Sequence, residues 1–190
     1  MELLHDRADR NCVNGARAIR LAIAVAMVVA AGLLAASAFA TSRSEKTLPS
    51  LDRQVLAAVN RFRVAHGLVA LRESSALDRS ARRHSLEMGR LGYFGHASAD
   101  GTVFWRRIRH YYGVGHYSYW SVGENLLWAA PSVSARGAMK MWIASPEHLA
   151  NLRSTRWRQI GISAVHSVRA PGVFHGLRVT IITTDFGVRR

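Results

Sequence analysis

Residues 142–152 read WIASPEHLANL, and this stretch contains both a helix start and a candidate functional histidine. Ser145 can cap a helix, and Pro146 suits the first helical position because it has no N–H group to leave unpaired. His148 then lies in the first turn, where the positive end of the helix dipole disfavours a charged imidazolium. We therefore expect a neutral His148, as a metal ligand or a proton acceptor must be.

Two amphipathic helices are predicted upstream of this stretch. Apolar residues recur at helical spacing from Leu51 to His66 and again from Ser75 to Leu91. His84 lies on the apolar face of the second helix and is expected to point inward, either as a core histidine or as part of a cleft. Shorter helices are predicted over 102–110 and 132–143.

Strands are predicted mainly in the last third of the chain. Ile160–Val168 and Leu177–Phe186 are rich in β-branched and apolar residues, and a further strand is expected between Tyr117 and Trp128. Helices come first and strands late, without regular alternation between them. This order predicts an α+β layered domain rather than a doubly wound one.

The N-terminal segment has the features of an export signal. Residues from Leu21 to Thr41 are uncharged and nearly all apolar, and they follow four arginines. Ala38-Phe39-Ala40 fits signal cleavage after Ala40, whereas about 20 apolar residues are also enough for an uncleaved membrane anchor. Both alternatives send the remaining chain out of the cytoplasm, to be secreted, periplasmic or extracellular, or anchored by residues 21–40. The predicted divisions are a signal peptide or anchor at 1–40, a linker at 41–50 and one domain at 51–190.

The exported part is basic and contains no cysteine. Beyond Ala40 there are 22 Lys and Arg against 9 Asp and Glu, a net charge of +13 with histidine neutral. Such a field attracts anionic partners, for which lipid head groups or anionic envelope polymers are favoured over nucleic acid because the basic residues form no dense cluster. Cys12 precedes the apolar segment, so no disulfide is available and burial alone must hold the domain.

Four local strings occur in an order that resembles a known family. They are YFGHAS at 93–98, GENL at 123–126, WIASPEHLANL at 142–152 and TDFG at 184–187. Together they resemble the bacterial branch of the CAP superfamily, whose members include cysteine-rich secretory, antigen 5 and pathogenesis-related class 1 proteins and share the SCP domain. The resemblance spans about residues 51–188 and implies a three-layer α-β-α sandwich.

The resemblance also implies a central cleft with a cluster of His and Glu side chains. The residues that map to it are His96, Glu124 and His148, which in some family members would hold a divalent metal such as zinc. Imidazole and carboxylate groups together either share protons near neutral pH or bind such a cation. Asn125, His84 and Ser145 are further candidates for the ligand cleft. Ser145 stands where animal and plant members have a second glutamate.

Three functions stay open on the sequence alone. The first is an envelope protein that binds a small lipid-like or anionic component in the cleft. The second is a hydrolase in which His96 and His148 act as acid and base, or hold a metal-bound water, with Glu124 orienting them. The third is a structural or host-interaction module. No cofactor is certain, and whether the protein is an enzyme is left open because a fold does not decide activity.

Overall fold

The computed structural model describes residues 50–190. The predicted signal or anchor at 1–40 and all but the last residue of the predicted linker lie outside the described residues. Glu45–Arg190 form one compact unit, and the sheet, its covering helices and three buried apolar clusters all lie within it. This unit therefore has the core it needs to fold on its own. Within residues 50–190 no helix is both long and apolar enough to cross a membrane.

The helices and strands follow the predicted order closely. The helices are α1 Leu51–Ala65, α2 Ser75–Leu91, α3 Phe104–Tyr111, α4 Ala135–Ala144 and α5 Pro146–Arg153, and the strands are β1 Arg72–Glu73, β2 Trp120–Ala129, β3 Gln159–Ala170 and β4 Leu177–Arg189. Helix α3 begins two residues later than predicted, at Phe104 rather than Thr102. The two-residue β1 was not predicted, because it becomes a strand only by pairing with β3.

The four strands form one sheet in the order β1-β3-β4-β2. Strand β1 runs parallel to β3, the other pairs are antiparallel, and β2 is an edge strand. Neighbouring residues of β4 point to opposite faces: Ile181 packs with Met88 of α2, and Ile182 packs in the cluster that contains Trp142 of α4. Helices therefore cover both faces, and the predicted three-layer α-β-α sandwich is confirmed.

Helix α2 lies unusually close to the sheet. A Cβ on Gly161 of β3 would overlap the backbone of Leu77 and Asp78 at the start of α2. At the other end, Gly92 and Gly172 meet backbone to backbone, and Val173 N donates to Gly92 O at 2.9 Å. Helix α2 is thus fixed along the whole of β3, which determines where the loop after α2 begins.

Candidate functional site

The largest concentration of candidate residues lines a cleft along the edge strand β2. The cleft has a volume of about 430 Å³, within the range of roughly 300–1,000 Å³ that is usual for small-molecule sites. Its walls come from the loop after α2, from α3, from β2 and from α5 with the residues that follow it. The lining residues are His96, Phe104, Ser121, Val122, Gly123, Glu124, Glu147, His148, Asn151, Arg156 and Trp157.

His96 and Glu124 are joined directly. The Nδ1 of His96 lies 2.8 Å from Oε1 of Glu124, so this ring nitrogen donates to the carboxylate. Half of the His96 side chain is exposed, whereas the Glu124 side chain is fully buried. The buried Glu124 therefore fixes the orientation of the half-exposed imidazole, and Nε2 of His96 is left as a proton acceptor.

Arg107 balances the buried charge of Glu124. Its Nη2 donates to Oε2 of Glu124, and its Nη1 donates to the backbone carbonyl of His96 at 3.0 Å and to Ser98 Oγ at 3.1 Å. A buried carboxylate requires such a partner because its desolvation is costly. Arg107 could not be singled out from the sequence, since it is one of three arginines in α3 and nothing local distinguishes the buried one.

Two asparagines connect the edge strand to α5. Asn125 Nδ2 donates to His148 O at 3.0 Å, and Asn151 Nδ2 lies 3.1 Å from Glu124 O and 2.8 Å from Asn125 Oδ1. Gly123 permits this close approach, because a Cβ there would come within 2.8 Å of both Asn151 and Trp157. Asn125 thus lies in β2 and positions His148 through its backbone, without lining the cleft itself.

His148 faces the cleft from the first turn of α5. Burial is the main cause that lowers the pKa of His148 below its ordinary value, and the nearby His96 lowers it further, while Glu147 opposes the shift. An imidazole with a lowered pKa is neutral at pH 7. The neutral state expected for His148 from its place in the helix therefore has a second physical basis here.

His84 lies beneath the loop rather than in the cleft. It is fully buried in α2, and its Nε2 lies 2.8 Å from the carbonyl oxygen of Gly95, the residue before His96. Burial lowers the pKa of His84 to about 4. A neutral ring with its proton on Nε2 donates to that carbonyl, so His84 holds the backbone that presents His96.

Asp185 faces Glu124 from the neighbouring strand. The two residues are directly opposite each other in the antiparallel pairing of β2 with β4, and Asp185 is completely buried. Burial raises the pKa of Asp185 well above its ordinary value, and the adjacent charge of Glu124 raises it further. We infer that Asp185 is protonated behind the ion pair of Glu124 with Arg107, an arrangement that the TDFG string alone did not indicate.

A smaller apolar pocket adjoins the cleft. It has a volume of about 270 Å³ and is lined by Phe94, Leu126, Leu127, Trp128, Met141, Trp142, Ser145 and His148. Ser145 therefore lines this pocket and not the cleft. It occupies the N-cap position of α5, as the sequence suggested, but its side chain makes no capping hydrogen bond. His148 belongs to the walls of both cavities.

The candidate donors fall short of a three-ligand zinc site. Nδ1 of His96 and both carboxylate oxygens of Glu124 are occupied by the contacts described above. Zinc in catalytic sites is held by three protein ligands, and among residues 50–190 no three His, Cys, Asp or Glu side chains are grouped to hold a metal ion. As arranged, these residues do not fit the zinc ion that the family resemblance implies.

Comparison with known proteins agrees with the α-β-α sandwich of this domain. The family model described as "CAP: Cysteine-rich secretory protein family" matches residues 56–174. The chain belongs to this family. A search of curated proteins gives no match.

Solved structures resemble the domain at low sequence identity. An outer surface protein from Borrelia burgdorferi is 19% identical with a TM-score of 0.61, over 73% of this chain and 92% of that one. An extracellular SCP-domain protein from Bacillus anthracis is 22% identical with a TM-score of 0.56, over 74% of this chain. A cysteine-rich secretory protein from Staphylococcus aureus is 15% identical with a TM-score of 0.51, over 75% of this chain. The match spans only 40% and 39% of the latter two proteins.

Proposed function

We propose that the protein is an exported envelope protein that binds a small anionic amphiphile, with its head group in the cleft and its hydrocarbon part in the adjoining pocket. The observation that supports this is the place of His148, which belongs to the walls of both cavities. A ligand passing His148 would meet polar groups on one side and apolar side chains on the other. This is the chemistry of a fatty acid or a lipid head group with an attached chain.

The cleft offers positive and hydrogen-bonding groups to the head group. Arg156 lines it, and among residues 50–190 no carboxylate forms an ion pair with this arginine. Nε2 of His96 and the ring of His148 add polar contacts, and Glu124 is already balanced by Arg107. The surplus basic charge of the chain would raise the local concentration of anionic ligands.

The proposal places this activity outside the cytoplasm. It is supported by the N-terminal apolar segment and by the resemblance of the fold to an outer surface protein and an extracellular protein. In that setting the nearest anionic amphiphiles are the lipids of the envelope itself. Binding one of them requires no enzymatic step.

The test is fluorescence titration of the 45–190 unit with a fluorescent fatty acid. We expect saturable binding. Arg156→Glu should weaken it by repelling the anionic head group in the cleft, and Met141→Arg should weaken it by disrupting the contacts of the hydrocarbon chain in the apolar pocket. The matched controls are Arg153→Glu, on the exposed side of α5, and Ile143→Arg. Met141 and Ile143 are 44% and 41% exposed on the same helix, but only Met141 lines the pocket.

A loss of affinity on the order of tenfold in the two lining variants, with the controls unchanged, would support the proposal. Equal loss in lining and control variants would show a nonspecific effect of charge and contradict it. So would the lack of saturable binding by a unit whose cooperative thermal unfolding proves it folded.

The second candidate is a hydrolase, and the His96–Glu124 contact favours it. A carboxylate that fixes Nδ1 of an imidazole leaves Nε2 able to take a proton from an attacking water, and a neutral His148 would be the second proton acceptor. Among residues 50–190, no serine or cysteine of the cleft lining is hydrogen-bonded to either imidazole ring. Water would therefore be the nucleophile.

The hydrolase is tested with a chromogenic ester of a short fatty acid. Turnover that disappears in His96→Ala and in His148→Ala at unchanged melting temperature would favour catalysis. His116→Ala is the control, because His116 lines neither the cleft nor the apolar pocket. Loss of amphiphile binding without any turnover in the parent protein would favour the binding function instead.

A further inference from the structure

The end of the β3–β4 hairpin exposes an unusual group of aliphatic side chains. Val168 is 73% exposed, and Leu91, Val173 and Leu177 are each 46% exposed. Leu91 belongs to this group because the end of α2 is fixed against residues 171–173 of the hairpin. We call these four residues the hairpin tip. Single exposed aliphatics are ordinary, whereas a group at one end of a molecule marks a surface for interaction.

Packing and backbone hydrogen bonds hold the turn of the hairpin tip in place. Phe174 is fully buried and packs edge-on against Trp128 at 5.1 Å between ring centroids, which anchors the short turn Gly172–Phe174. Backbone hydrogen bonds from Val173 N to Gly92 O and from Gly176 N to Ala170 O close the turn. Val173 is thereby presented outward without a further loss of backbone freedom on binding.

The surroundings of the hairpin tip are basic and lack acidic residues. Arg90, Arg169 and Arg178 are exposed beside the four aliphatics, and among residues 50–190 none of the three has an ion-pair partner. The sequence contains no Asp or Glu from 158 to 184, from 88 to 99 or from 125 to 146. Glu87 is the nearest acid along α2, and it is mostly buried and bonded to the Tyr93 hydroxyl.

We propose that the hairpin tip docks on the surface of a lipid bilayer that contains anionic lipids. Arginines next to exposed aliphatics match the two layers of such a surface, since the guanidinium groups meet the phosphates while Val173 and Leu177 enter the boundary with the acyl chains. A polyanionic polymer would offer charge but no apolar layer for the aliphatics. This site involves none of the residues that line the cleft, so it does not depend on the proposed ligand.

The test is co-sedimentation of the 45–190 unit with vesicles of phosphatidylcholine, with and without phosphatidylglycerol. We expect binding only when phosphatidylglycerol is present. Replacing Arg169 and Arg178 with Gln should weaken it roughly fivefold for each arginine. The double variant Val173→Ser, Leu177→Thr should weaken it by at least a similar factor, because it removes the apolar contacts.

The controls lie at the other end of β3. Val64 and Val69 are 61% and 58% exposed, close to β1, whose Arg72 pairs with Gln159 at the start of β3. Val64→Ser with Val69→Thr, and Arg61→Gln with Arg72→Gln, should leave vesicle binding unchanged. Thermal unfolding checks that each variant is folded, and the arginine variants remain informative if the apolar variant is not.

Three results would overturn the proposal. The first is absence of binding to phosphatidylglycerol vesicles by the folded unit. The second is binding that the tip and control variants reduce equally, and the third is binding that the apolar tip variant does not reduce, since attraction would then come from overall charge. None of these results bears on amphiphile binding in the cleft, which the fluorescent fatty acid measures separately.

Discussion

Two buried titratable residues, His84 and Asp185, should make the stability of the domain depend on pH in opposite directions, because folding lowers the pKa of His84 and raises the pKa of Asp185. The inward orientation of His84 could be predicted because the residue shares a helical face with Leu77, Ala81 and Met88. The environment of Asp185 could not, because it depends on the register of β2 against β4, two strands far apart in the sequence. The spacing of nearby apolar residues is enough to predict which face of a helix is buried. The residue opposite Asp185 on the neighbouring strand is known only once the sheet has formed.

The variant Asp185→Asn should raise the free energy of unfolding at pH 7. Folding raises the pKa of Asp185, so this residue makes stability fall as pH rises from the unfolded value near 3.9 toward the folded value. Asparagine has a similar shape and an N–H donor but does not titrate, so the expected gain is about 1.4 kcal/mol for each unit of raised pKa. Urea denaturation at pH 4 and pH 7 measures it. Glu73→Gln, at an exposed carboxylate, is the control. A stability difference between the Asp185 variant and the parent that is the same at pH 4 and pH 7 would refute the protonated Asp185.

The parent protein should lose stability in acid partly because of His84, and the variant His84→Gln should remove that part of the loss. The pKa of His84 is lowered from 6.5 to about 4 on folding, so its contribution is lost as pH falls through that window, while the unfolded chain takes up a proton. The full loss is about 3 kcal/mol. Comparing urea midpoints of parent and variant at pH 7 and pH 4.5 isolates this residue from Asp185. An identical acid loss in both proteins would contradict the assignment.

At the scale of elements, the position of the site follows from how α2 and α5 lie against the sheet. The break between α4 and α5 could be predicted, because Ser145-Pro146 is a helix start in any context. The sequence strings also indicated that His96, Glu124 and His148 belong together. What the sequence could not provide is that Arg107 would lie under Glu124, or that one apolar pocket would open behind His148. Both depend on the packing of α3 and α4 against β2.

The substitution Gly161→Ala should separate α2 from β3. Its Cβ would overlap the backbone of Leu77 and Asp78, and backbone cannot move aside as a side chain can, so we expect a loss of roughly 1–3 kcal/mol or more. Gly95→Ala, where a Cβ would have nothing within 4 Å, is the matched control. Thermal unfolding compares them, and equal stability of both variants would show that α2 is not packed as closely as described.

At the scale of the whole molecule, charge and shape act together. The basic chain, with a net charge of +14, presents a cleft along the sheet edge and a rigid hairpin tip at the end of β3. The net charge was evident from the composition, but the distribution of charged residues over the surface was not. Among residues 50–190, the hairpin tip has no acidic residues around it because three stretches of sequence without Asp or Glu lie together at that end of the fold. The family could be predicted from four sequence strings, whereas the cleft and the hairpin tip could be recognised only in the structure.

We propose that one amphiphile occupies both the cleft and the apolar pocket, on the two sides of His148. Nuclear magnetic resonance of the labelled 45–190 unit tests it most directly, by titrating a short-chain fatty acid and, in parallel, acetate as a head group without a chain. We expect the fatty acid to shift signals of His96 and His148 together with those of Leu126 and Trp128. Acetate should shift only the cleft residues. Shifts confined to surface arginines, or none at His148 with either compound, would show that no amphiphile binds across the two cavities.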